Sequence, residues 1–278
     1  IADMQRHCSR HGVELRPHIK THKMVEVARR QLAAGAAGLT CAKLGEAEAM
    51  LAAGPRSLFV AHSLADPGQA SRVAALAARI PDFRVAVTGE AHAPALEKVA
   101  VAAGRRLAVM MAVDTGLGRE GVRDLASAQR LAATLARSAH LELRGFYTHE
   151  GNFYGLPPAQ QRAKVLELVE RLAGVRDAID RTLPIWPGCS VSAKLIAENS
   201  AGRVQAVRPG AYMFGDLFLS EVTGVMPATA VAVQVLATVV DKPEPGLALI
   251  DAGSKTFSSD RTGDNIHAKA IDGRDLAV

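Results

Sequence analysis

The sequence predicts an α/β protein: a (β/α)8 TIM-like barrel over residues 1–214, followed by a partial β-rich domain over residues 215–278. Two observations lead to this fold class. Short apolar runs alternate with Ala/Leu-rich helical runs up to residue 214, which is typical of parallel βα units. After residue 215 the long helical runs stop, and strand-like runs follow one another. A doubly wound open sheet is the alternative for the first part.

Eight apolar runs bounded by turn residues are the strand candidates of the first domain. Their number matches the strands of a closed barrel. In chain order they are VELRPHI (13–19), AGLTC (37–41), SLFVAH (57–62), FRVAV (83–87), RLAVMMAV (106–113), LELRGFYTH (141–149), LPIWPG (183–188) and RVQAVRPG (203–210).

Helical runs separate these strands, and an apparent helix, IADMQRHCSRHG, precedes the first one. Three of the runs end in Ala-Ala-Gly, and a glycine just past a helix is a common C-cap. The runs are MVEVARRQLAAG (24–35), AKLGEAEAMLAAG (42–54), ADPGQASRVAALAARI (65–80), EAHAPALEKVAVAAG (90–104), VRDLASAQRLAATLARS (122–138), PPAQQRAKVLELVERLAGVRDAID (157–180) and the shorter AKLIAE (193–198).

The second domain is predicted from two strand-like runs, ATAVAVQVLATVVD (228–241) and LALIDAGSK (247–255). Pro and Gly connect them, without a long helix between them. The sequence also opens without methionine inside an apparent helix, and it stops in DGRDLAV without a closing element. We therefore expect pieces of this domain to be missing from the chain.

The composition favours an enzyme that acts on small molecules over a nucleic-acid-binding protein or a membrane protein. The net charge of +5 is mild for 278 residues, and aromatics are only 4%, whereas nucleic-acid binders combine basic clusters with stacking aromatics. No apolar run approaches the ~20 residues of a membrane span. Cys8, Cys41 and Cys189 are far apart and form neither a disulfide framework nor a Cys-x-x-Cys metal pair. We expect a cytoplasmic protein.

In a (β/α)8 barrel, chemistry occurs where strands run into the following loops. Polar residues at these strand ends come from separate strands but would converge on one mouth. They are His18, Lys20, Cys41, His62, Asp114, Arg119, His149, Ser190, Ser192 and Arg208.

The segment RPHIKTHK (16–23) concentrates histidines and lysines at the end of the first strand. Strand alternation places Arg16, His18 and Lys20 on one face. A partly buried lysine beside other cations has a lowered pKa, and such an amine attacks aldehydes to form a Schiff base. The alternative is a solvated basic patch in which Lys20 and Lys23 flank a helix N-terminus.

The segment VDTGLGREGV (113–122) contains Gly-x-Gly-x-x-Gly after a strand, as dinucleotide-binding loops do. The usual acidic partner is missing, because Glu142 opens the next strand instead of ending it. The other interpretation is that Arg119 leaves the barrel mouth aimed at an anionic or phenolic oxygen.

Three further segments suggest a planar ligand with a phosphate. The ring of His149 could stack on a planar cofactor. GCSVSA (188–193) and VRPGAY (207–212) offer hydroxyl and backbone N–H groups to a phosphate, although a serine N-cap would also explain the first. Pyridoxal 5'-phosphate (PLP) combines an aldehyde for the lysine, a flat ring and a phosphate.

With these motifs, the chain resembles the D-threonine aldolase / D-serine dehydratase-like family, whose barrel is of the alanine racemase N-terminal type (fold type III PLP enzymes). The matching stretches follow the family's order and cover nearly the whole chain. They are LRPHIKTHK, LTCAKLGEAEAM, VDTGLGREGV, YTHEGNFYG, GCSVSA, VRPGAYMFGD and DAGSKTFSSD.

The resemblance implies three catalytic residues, Lys20, His149 and Arg119. Lys20 would hold PLP covalently and His149 would face the ring. Arg119 and Arg208 would contact the phenolic oxygen and the ring-nitrogen side, in an order left open. The expected cofactor contacts are Lys20, His18, Arg119, His149, Ser190, Ser192, Arg208, Gly210, Ala211 and Tyr212; Lys255, Ser258, Ser259 and Asp260 could contribute from the second domain.

The resemblance also implies a homodimeric PLP-dependent lyase that acts on D-3-hydroxy amino acids, of the aldolase or dehydratase type. Such members typically carry a late His-x-Cys or His-x-Asp motif for a divalent metal, Zn or Mn. No such motif follows residue 255, so we expect the metal ligands outside this chain. An amino-acid racemase on the same barrel and a non-catalytic PLP carrier are the alternatives. No nucleic-acid or membrane partner is expected.

Overall fold

The computed structural model describes residues 1–253, 255–257, 266–270 and 275–277. The chain divides into two compact units, Ile1–Tyr212 and Met213–Val278. Among the described residues, no helix combines the length and the apolar character that crossing a lipid bilayer requires.

Eight α-helices occur in the described residues, and each coincides with a run that the sequence predicts as helical. Asp124 shows how one of them starts: its carboxylate accepts a hydrogen bond from the Ser127 backbone N–H (2.7 Å), which forms a capping box. The helices are α1 (Ala2–Arg10), α2 (Val25–Ala33), α3 (Leu44–Met50), α4 (Ala70–Arg79), α5 (Ala93–Ala102), α6 (Leu125–Arg137), α7 (Pro158–Asp177) and α8 (Ala193–Asn199).

The described part of the chain contains the strands β1 (Glu14–Leu15), β2 (Leu39–Cys41), β3 (Ser57–Ser63), β4 (Asp82–Val87), β5 (Leu107–Ala112), β6 (Leu141–Tyr147), β7 (Ile185–Trp186), β8 (Ala206–Val207), β9 (Val239–Glu244), β10 (Leu247–Ile250), β11 (Ile266–Lys269) and β12 (Asp275–Ala277). Strands β2 to β7 form one sheet in sequence order, and β1 pairs with β8. All of these pairings in the first unit are parallel.

Backbone hydrogen bonds join these two groups of strands into a ring. At one edge, the Thr40 N–H donates to the carbonyl of Pro17 (2.8 Å), which links β2 to the end of β1. At the other edge, the Gln205 N–H donates to the carbonyl of Ile185 (3.2 Å), which links the start of β8 to β7. The predicted eight-stranded barrel is therefore confirmed. The open doubly wound sheet is wrong, because such a sheet leaves its two edge strands unpaired.

Large aromatic and small aliphatic side chains together fill the barrel interior. The ring of Phe59 meets Tyr147 edge-on at 5.0 Å between centroids and Trp186 at 6.0 Å. Alanines from neighbouring strands leave room for these rings, so the interior is a packed core and not a pore. The cluster consists of Phe59, Ala86, Met110, Ala112, Tyr147, Trp186 and Ala206.

A stack of two guanidinium groups on one indole closes the end of the barrel where the strands begin. Arg16 and Arg84 lie 4.1 and 4.4 Å from the centroid of the Trp186 ring, and the side chain of Arg16 also donates to Ser57 Oγ (2.5 Å). Cation–π contacts of this kind are strongest where water is excluded. Arg16 is thus structural, and only His18 and Lys20 of the predicted polar row continue toward the mouth.

The second unit contains two antiparallel strand pairs, β9 with β10 and β11 with β12. The prediction of one long strand over residues 228–241 is only partly correct. A 3-10 turn, Ala228–Ala230, lies at its start, and β9 begins only at Val239. The physical reason is that a strand needs a partner, and β10 offers only four residues to pair with.

Candidate active site

Lys20 lies in a short 3-10 turn, Ile19–Thr21, just after the first strand. The ring Nδ1 of His18 accepts a hydrogen bond from the Lys20 N–H (3.3 Å), which fixes the start of this turn. The prediction that Lys20 continues the strand alternation is therefore wrong. Pairing with the neighbouring strand extends only to His18, whose N–H donates to the carbonyl of Pro209 (3.0 Å), and the chain turns directly afterwards.

The surroundings of Lys20 favour its neutral amine. Loss of hydration lowers its pKa most, and the positive charges of Arg119 and Arg208 lower it further. Lys20 is nevertheless exposed to solvent, so a ligand can reach its amine. An amine that loses its proton readily is what nucleophilic attack on an aldehyde requires.

Five basic side chains lie close enough to act on the protonation of His18 or Lys20, and we call them the cationic cluster: His18, Lys20, Arg119, His149 and Arg208. Burial lowers the pKa of His18 well below its usual range, and the charges of Lys20, Arg208 and Arg119 lower it further. The members come from segments that follow β1, β5, β6 and β8. Because the positive charges of Lys20, Arg119 and Arg208 lie close together, the cluster favours an anionic or electron-rich ligand.

Arg208 is the most deeply buried member of the cationic cluster, with 3% of its surface exposed. Its Nε donates to the carbonyl of Trp186 (2.9 Å) and its Nη2 to that of Thr148 (2.6 Å). Burial lowers its pKa to about 10, so it stays charged at neutral pH. Glycine is required at Gly188 beside it, because a Cβ there would lie 2.8 Å from the Cβ of Arg208.

The hydrogen bond of His149 fixes its tautomer. Its Nδ1 lies 2.6 Å from the carbonyl oxygen of Gly188. A carbonyl can only accept, so Nδ1 carries the proton and Nε2 keeps its lone pair. Burial lowers the pKa of His149 to about 4, and the nearby charges of Lys20, Arg119 and Arg208 act in the same direction. The ring is therefore neutral at pH 7.

This lowered pKa predicts a loss of stability in mild acid. The unfolded chain protonates His149 near pH 6.5, whereas the folded chain does so only near pH 4. Between these values the unfolded state binds more protons than the folded state. Lowering the pH across this range therefore lowers the free energy of unfolding by up to about 3 kcal/mol. Urea unfolding from pH 7.5 to pH 4 should show a shallower pH dependence for His149→Phe than for wild type. Equal slopes would contradict the assignment.

A glycine-rich loop presents Arg119. Asp114 Oδ1 accepts hydrogen bonds from the N–H groups of Gly116 (3.0 Å) and Gly118 (3.1 Å), which fold the loop. The guanidinium of Arg119 is exposed and donates to Glu120 Oε1 (3.0 Å). The dinucleotide-loop interpretation is wrong, because α6 begins beyond the motif and no helix N-terminus follows the glycines directly.

Two loops predicted to hold a phosphate meet at Ser190. Its Oγ accepts hydrogen bonds from the N–H groups of Gly210 (3.2 Å) and Ala211 (2.9 Å). Two backbone donors that converge on one oxygen form a place where an anionic oxygen is also accommodated. A Cβ at Gly210 would lie 2.9 Å from Thr21 Oγ1, so glycine here allows the loop to approach the turn that carries Lys20.

Glu150 is the residue whose importance the sequence did not reveal. It is fully buried; its Oε1 accepts from the Ser192 hydroxyl (2.6 Å) and its Oε2 from the Gly188 N–H (3.1 Å). Burial raises its pKa, and these two hydrogen bonds oppose that shift. Glu150 thus ties the segment after β6 to the predicted phosphate loop. Its position directly after His149 was the only available signal.

Two predicted cofactor residues direct their side chains elsewhere. Ser192 is buried, and its hydroxyl is engaged by Glu150. The Tyr212 hydroxyl accepts a hydrogen bond from the side-chain amide of Gln31 on α2 (3.1 Å). Only the backbone groups of Ser192 and Tyr212 are therefore candidates for cofactor contacts.

Three other polar residues near the strand ends have no direct place in the cationic cluster. Cys41 is fully buried, and burial raises its pKa, so its thiol is inert. His62 is exposed on β3. Lys23 is also exposed, and its Nζ lies 3.4 Å from Glu46 Oε1, in agreement with its predicted place just before a helix.

Residues expected to contribute from the second unit are only partly described. Lys255 is exposed. The others, Ser258, Ser259 and Asp260, lie outside the described residues, so their contribution stays a prediction.

The residues at the mouth fit PLP. Lys20 offers a reachable amine, and the cationic cluster complements the negative charges of a phenolate and a phosphate. Two backbone N–H groups converge at Ser190, and the absence of a Cβ at Gly188 and Gly210 keeps these loops close together. No comparable fit exists for a catalytic metal among the described residues, where the one group of three close ligand atoms is His7, His11 and Glu198.

Two family models match the chain. Residues 1–217 match "Alanine racemase, N-terminal domain", and residues 232–277 match "Putative serine dehydratase domain". The first match covers the whole barrel unit, and the second covers most of the unit that follows.

Curated relatives match over most of the chain. D-threo-3-hydroxyaspartate dehydratase of Delftia sp. (strain HT23) is 36% identical over an alignment of 273 residues, and the alignment covers 94% of this chain and 70% of that protein. D-threonine aldolase of Arthrobacter sp. is 31% identical over 92% of this chain and 69% of its own length. The solved structure of the Delftia dehydratase superposes with a TM-score of 0.87, at 32% identity, over 99% of this chain and 75% of that chain. The resemblance seen in the sequence motifs is confirmed: the chain belongs to the alanine racemase N-terminal domain family.

Proposed function

We propose that this protein is a PLP-dependent lyase that acts on D-3-hydroxy amino acids, of the D-threonine aldolase or D-serine dehydratase type. The observation that carries the proposal is a reachable lysine of lowered pKa, Lys20, held among four further basic groups at the barrel mouth. The relatives in the previous section support the reaction class, because both are named for reactions of D-3-hydroxy amino acids.

In this proposal the barrel binds PLP through its loops. Lys20 would be the point of covalent attachment, and the ring of His149 would face the cofactor ring. Ser190 and the N–H groups of Gly210 and Ala211 would hold the phosphate, with further backbone contacts from Ser192 and Tyr212. When bound, PLP supplies an electron sink for the charge that develops at the substrate's Cα.

The protein's own side chains would control protonation and charge around the cofactor ring. Lys20 can accept and return a proton at Nζ, since its pKa is lowered. Arg208 keeps its proton at neutral pH, so a ring nitrogen facing it would stay unprotonated. Arg119 would donate to the phenolic oxygen. The neutral His149 offers only the Nε2 lone pair, because its Nδ1–H is bound to Gly188.

A racemase is the runner-up on the same barrel, and it needs a second base, usually a tyrosine from the other domain. The sequence has only Tyr147, Tyr154 and Tyr212. Burial raises the pKa of all three, so none is poised to accept a proton near neutral pH. The Tyr147 hydroxyl also lies 3.5 Å from Glu120 Oε1 and that of Tyr212 is bound to Gln31. The relatives named for a dehydratase and an aldolase also favour the lyase over the racemase.

Homodimer formation, a cytoplasmic location and dependence on Zn or Mn stay predictions. No step of the mechanism above depends on a metal.

The test is a product analysis of the PLP-loaded protein with D-threonine, D-threo-3-hydroxyaspartate and D-serine, and with their L forms as controls. Glycine plus an aldehyde would establish an aldolase, and ammonia plus a keto acid a dehydratase. We expect the D forms to react at least ~100-fold faster. Interconversion of D and L forms without carbonyl product, or PLP binding without any turnover, would overturn the proposal in favour of a racemase or a carrier.

A further inference from the structure

A group of side chains that could bind a metal ion lies on the outside of the barrel, between helices α1 and α8. His7 lies in the last turn of α1, and His11 follows one turn later at its C-cap. Glu198 lies in the last turn of α8. One ligand atom from each of these three residues lies within 4.8 Å of the other two.

The spacing along α1 places both imidazoles on one side. Residues four apart on a helix are neighbours, and the ring centroids of His7 and His11 are 5.0 Å apart. His7 Nε2 lies 3.4 Å from Glu198 Oε1 and 3.3 Å from the carbonyl oxygen of Lys194. Bonds of about 2.0–2.1 Å in a tetrahedral zinc site separate neighbouring ligand atoms by about 3.3 Å. The observed distances from His7 thus already match the edges of such a site.

The chemistry and location of the three side chains also favour a divalent cation. Two imidazoles and a carboxylate are a typical zinc donor set, with a fourth position for water or a carbonyl oxygen. The C-terminal end of α1 adds partial negative charge. His11 and Glu198 are exposed, so their side chains can adjust by rotation without disturbing the core.

We propose that His7, His11 and Glu198 form a structural Zn²⁺ site that clamps α1 to α8. Barrel helices run antiparallel to the strands, so the C-terminal ends of α1 and α8 lie on the side where the strands begin, opposite Lys20. The clamp would join positions 187 residues or more apart in sequence, and cross-links across long loops constrain the unfolded chain most. The proposal does not depend on the PLP chemistry.

The alternative is a simple ion pair between His7 and Glu198, and zinc titration distinguishes the two. The PLP-loaded protein in metal-free buffer should bind one more equivalent of Zn²⁺ by calorimetry than His7→Ala or His11→Ala. Glu198→Gln should weaken that binding at least ~10-fold, since an amide is a poorer ligand than a carboxylate. His62→Ala, which removes an exposed histidine of β3, is the matched control and should bind as wild type does.

Thermal unfolding provides a second readout that a loss of catalytic function cannot imitate. Saturating Zn²⁺ should raise the Tm of wild type and His62→Ala by roughly 5 °C, and it should leave His11→Ala unchanged. Circular dichroism in chelator should show the same fold for all variants. Equal zinc stoichiometry and equal Tm shifts in all variants would overturn the site.

Discussion

Replacing Lys20 with alanine is expected to abolish covalent attachment of PLP and to lower turnover of D-3-hydroxy amino acids by about 10⁴-fold. The reason is specific to this amine: it is exposed, its hydration is reduced, and Arg119 and Arg208 disfavour its charge. A lysine elsewhere on the surface keeps its proton at neutral pH and is a poor nucleophile.

Lys23 provides a matched control within the same segment. It lies three positions further along the chain, is exposed and pairs with Glu46 at 3.4 Å. Lys23→Ala is expected to retain PLP and nearly full activity. Borohydride reduction of the PLP-loaded wild type, followed by peptide mapping, should place the cofactor label on Lys20. Label on Lys23 or on any other residue would refute the central assignment.

Replacing Glu150 with leucine is expected to lower the free energy of unfolding by about 3–5 kcal/mol and to weaken PLP binding as well. The variant removes the acceptor of the Ser192 hydroxyl and of the Gly188 N–H in a site without access to water. It also removes an acidic group whose negative charge favours the charged form of the buried Arg208. The predicted phosphate loop would then lose the contact that positions it.

Two companion variants sharpen this prediction. Glu150→Gln should be milder, because its amide can accept from Gly188 while the Ser192 hydroxyl reverses and accepts from its NH2 group. Glu48→Gln removes an exposed carboxylate that pairs with Arg72 (2.7 Å) and should cost less than about 1 kcal/mol. Urea unfolding with and without PLP measures both effects. Equal stability of Glu150→Leu and wild type would show that Glu150 does not organise the loop.

The local patterns of the sequence predicted the elements and the identity of several site residues. The helical runs, some of them followed by a C-cap glycine, predicted every helix of the barrel unit. Periodicity and capping depend only on neighbouring residues, so the sequence is enough to predict them. His18, Lys20, His149 and Arg208 were recognisable as polar residues at strand ends, where a closed barrel collects its chemistry.

Side-chain directions could not be predicted in the same way. Ser192 and Tyr212 were expected at the cofactor, yet their hydroxyls bind Glu150 and Gln31 instead. Arg16 was grouped with His18 and Lys20, yet it stacks on Trp186 at the other end of the barrel. Each of these partners lies far away in sequence, and no local pattern specifies it.

The amino-acid sequence was enough to predict a (β/α)8 barrel, a candidate Schiff-base lysine after the first strand and membership in a family of PLP enzymes. The alternation of strands and helices and the short motifs are sufficient for these predictions, because both depend on residues that are close together in sequence. Three features became apparent only in the folded chain: a 3-10 turn presents Lys20, Glu150 holds the loop around Gly188, and His7, His11 and Glu198 lie close together. These features depend on burial and on contacts between distant segments, which exist only once the barrel has closed.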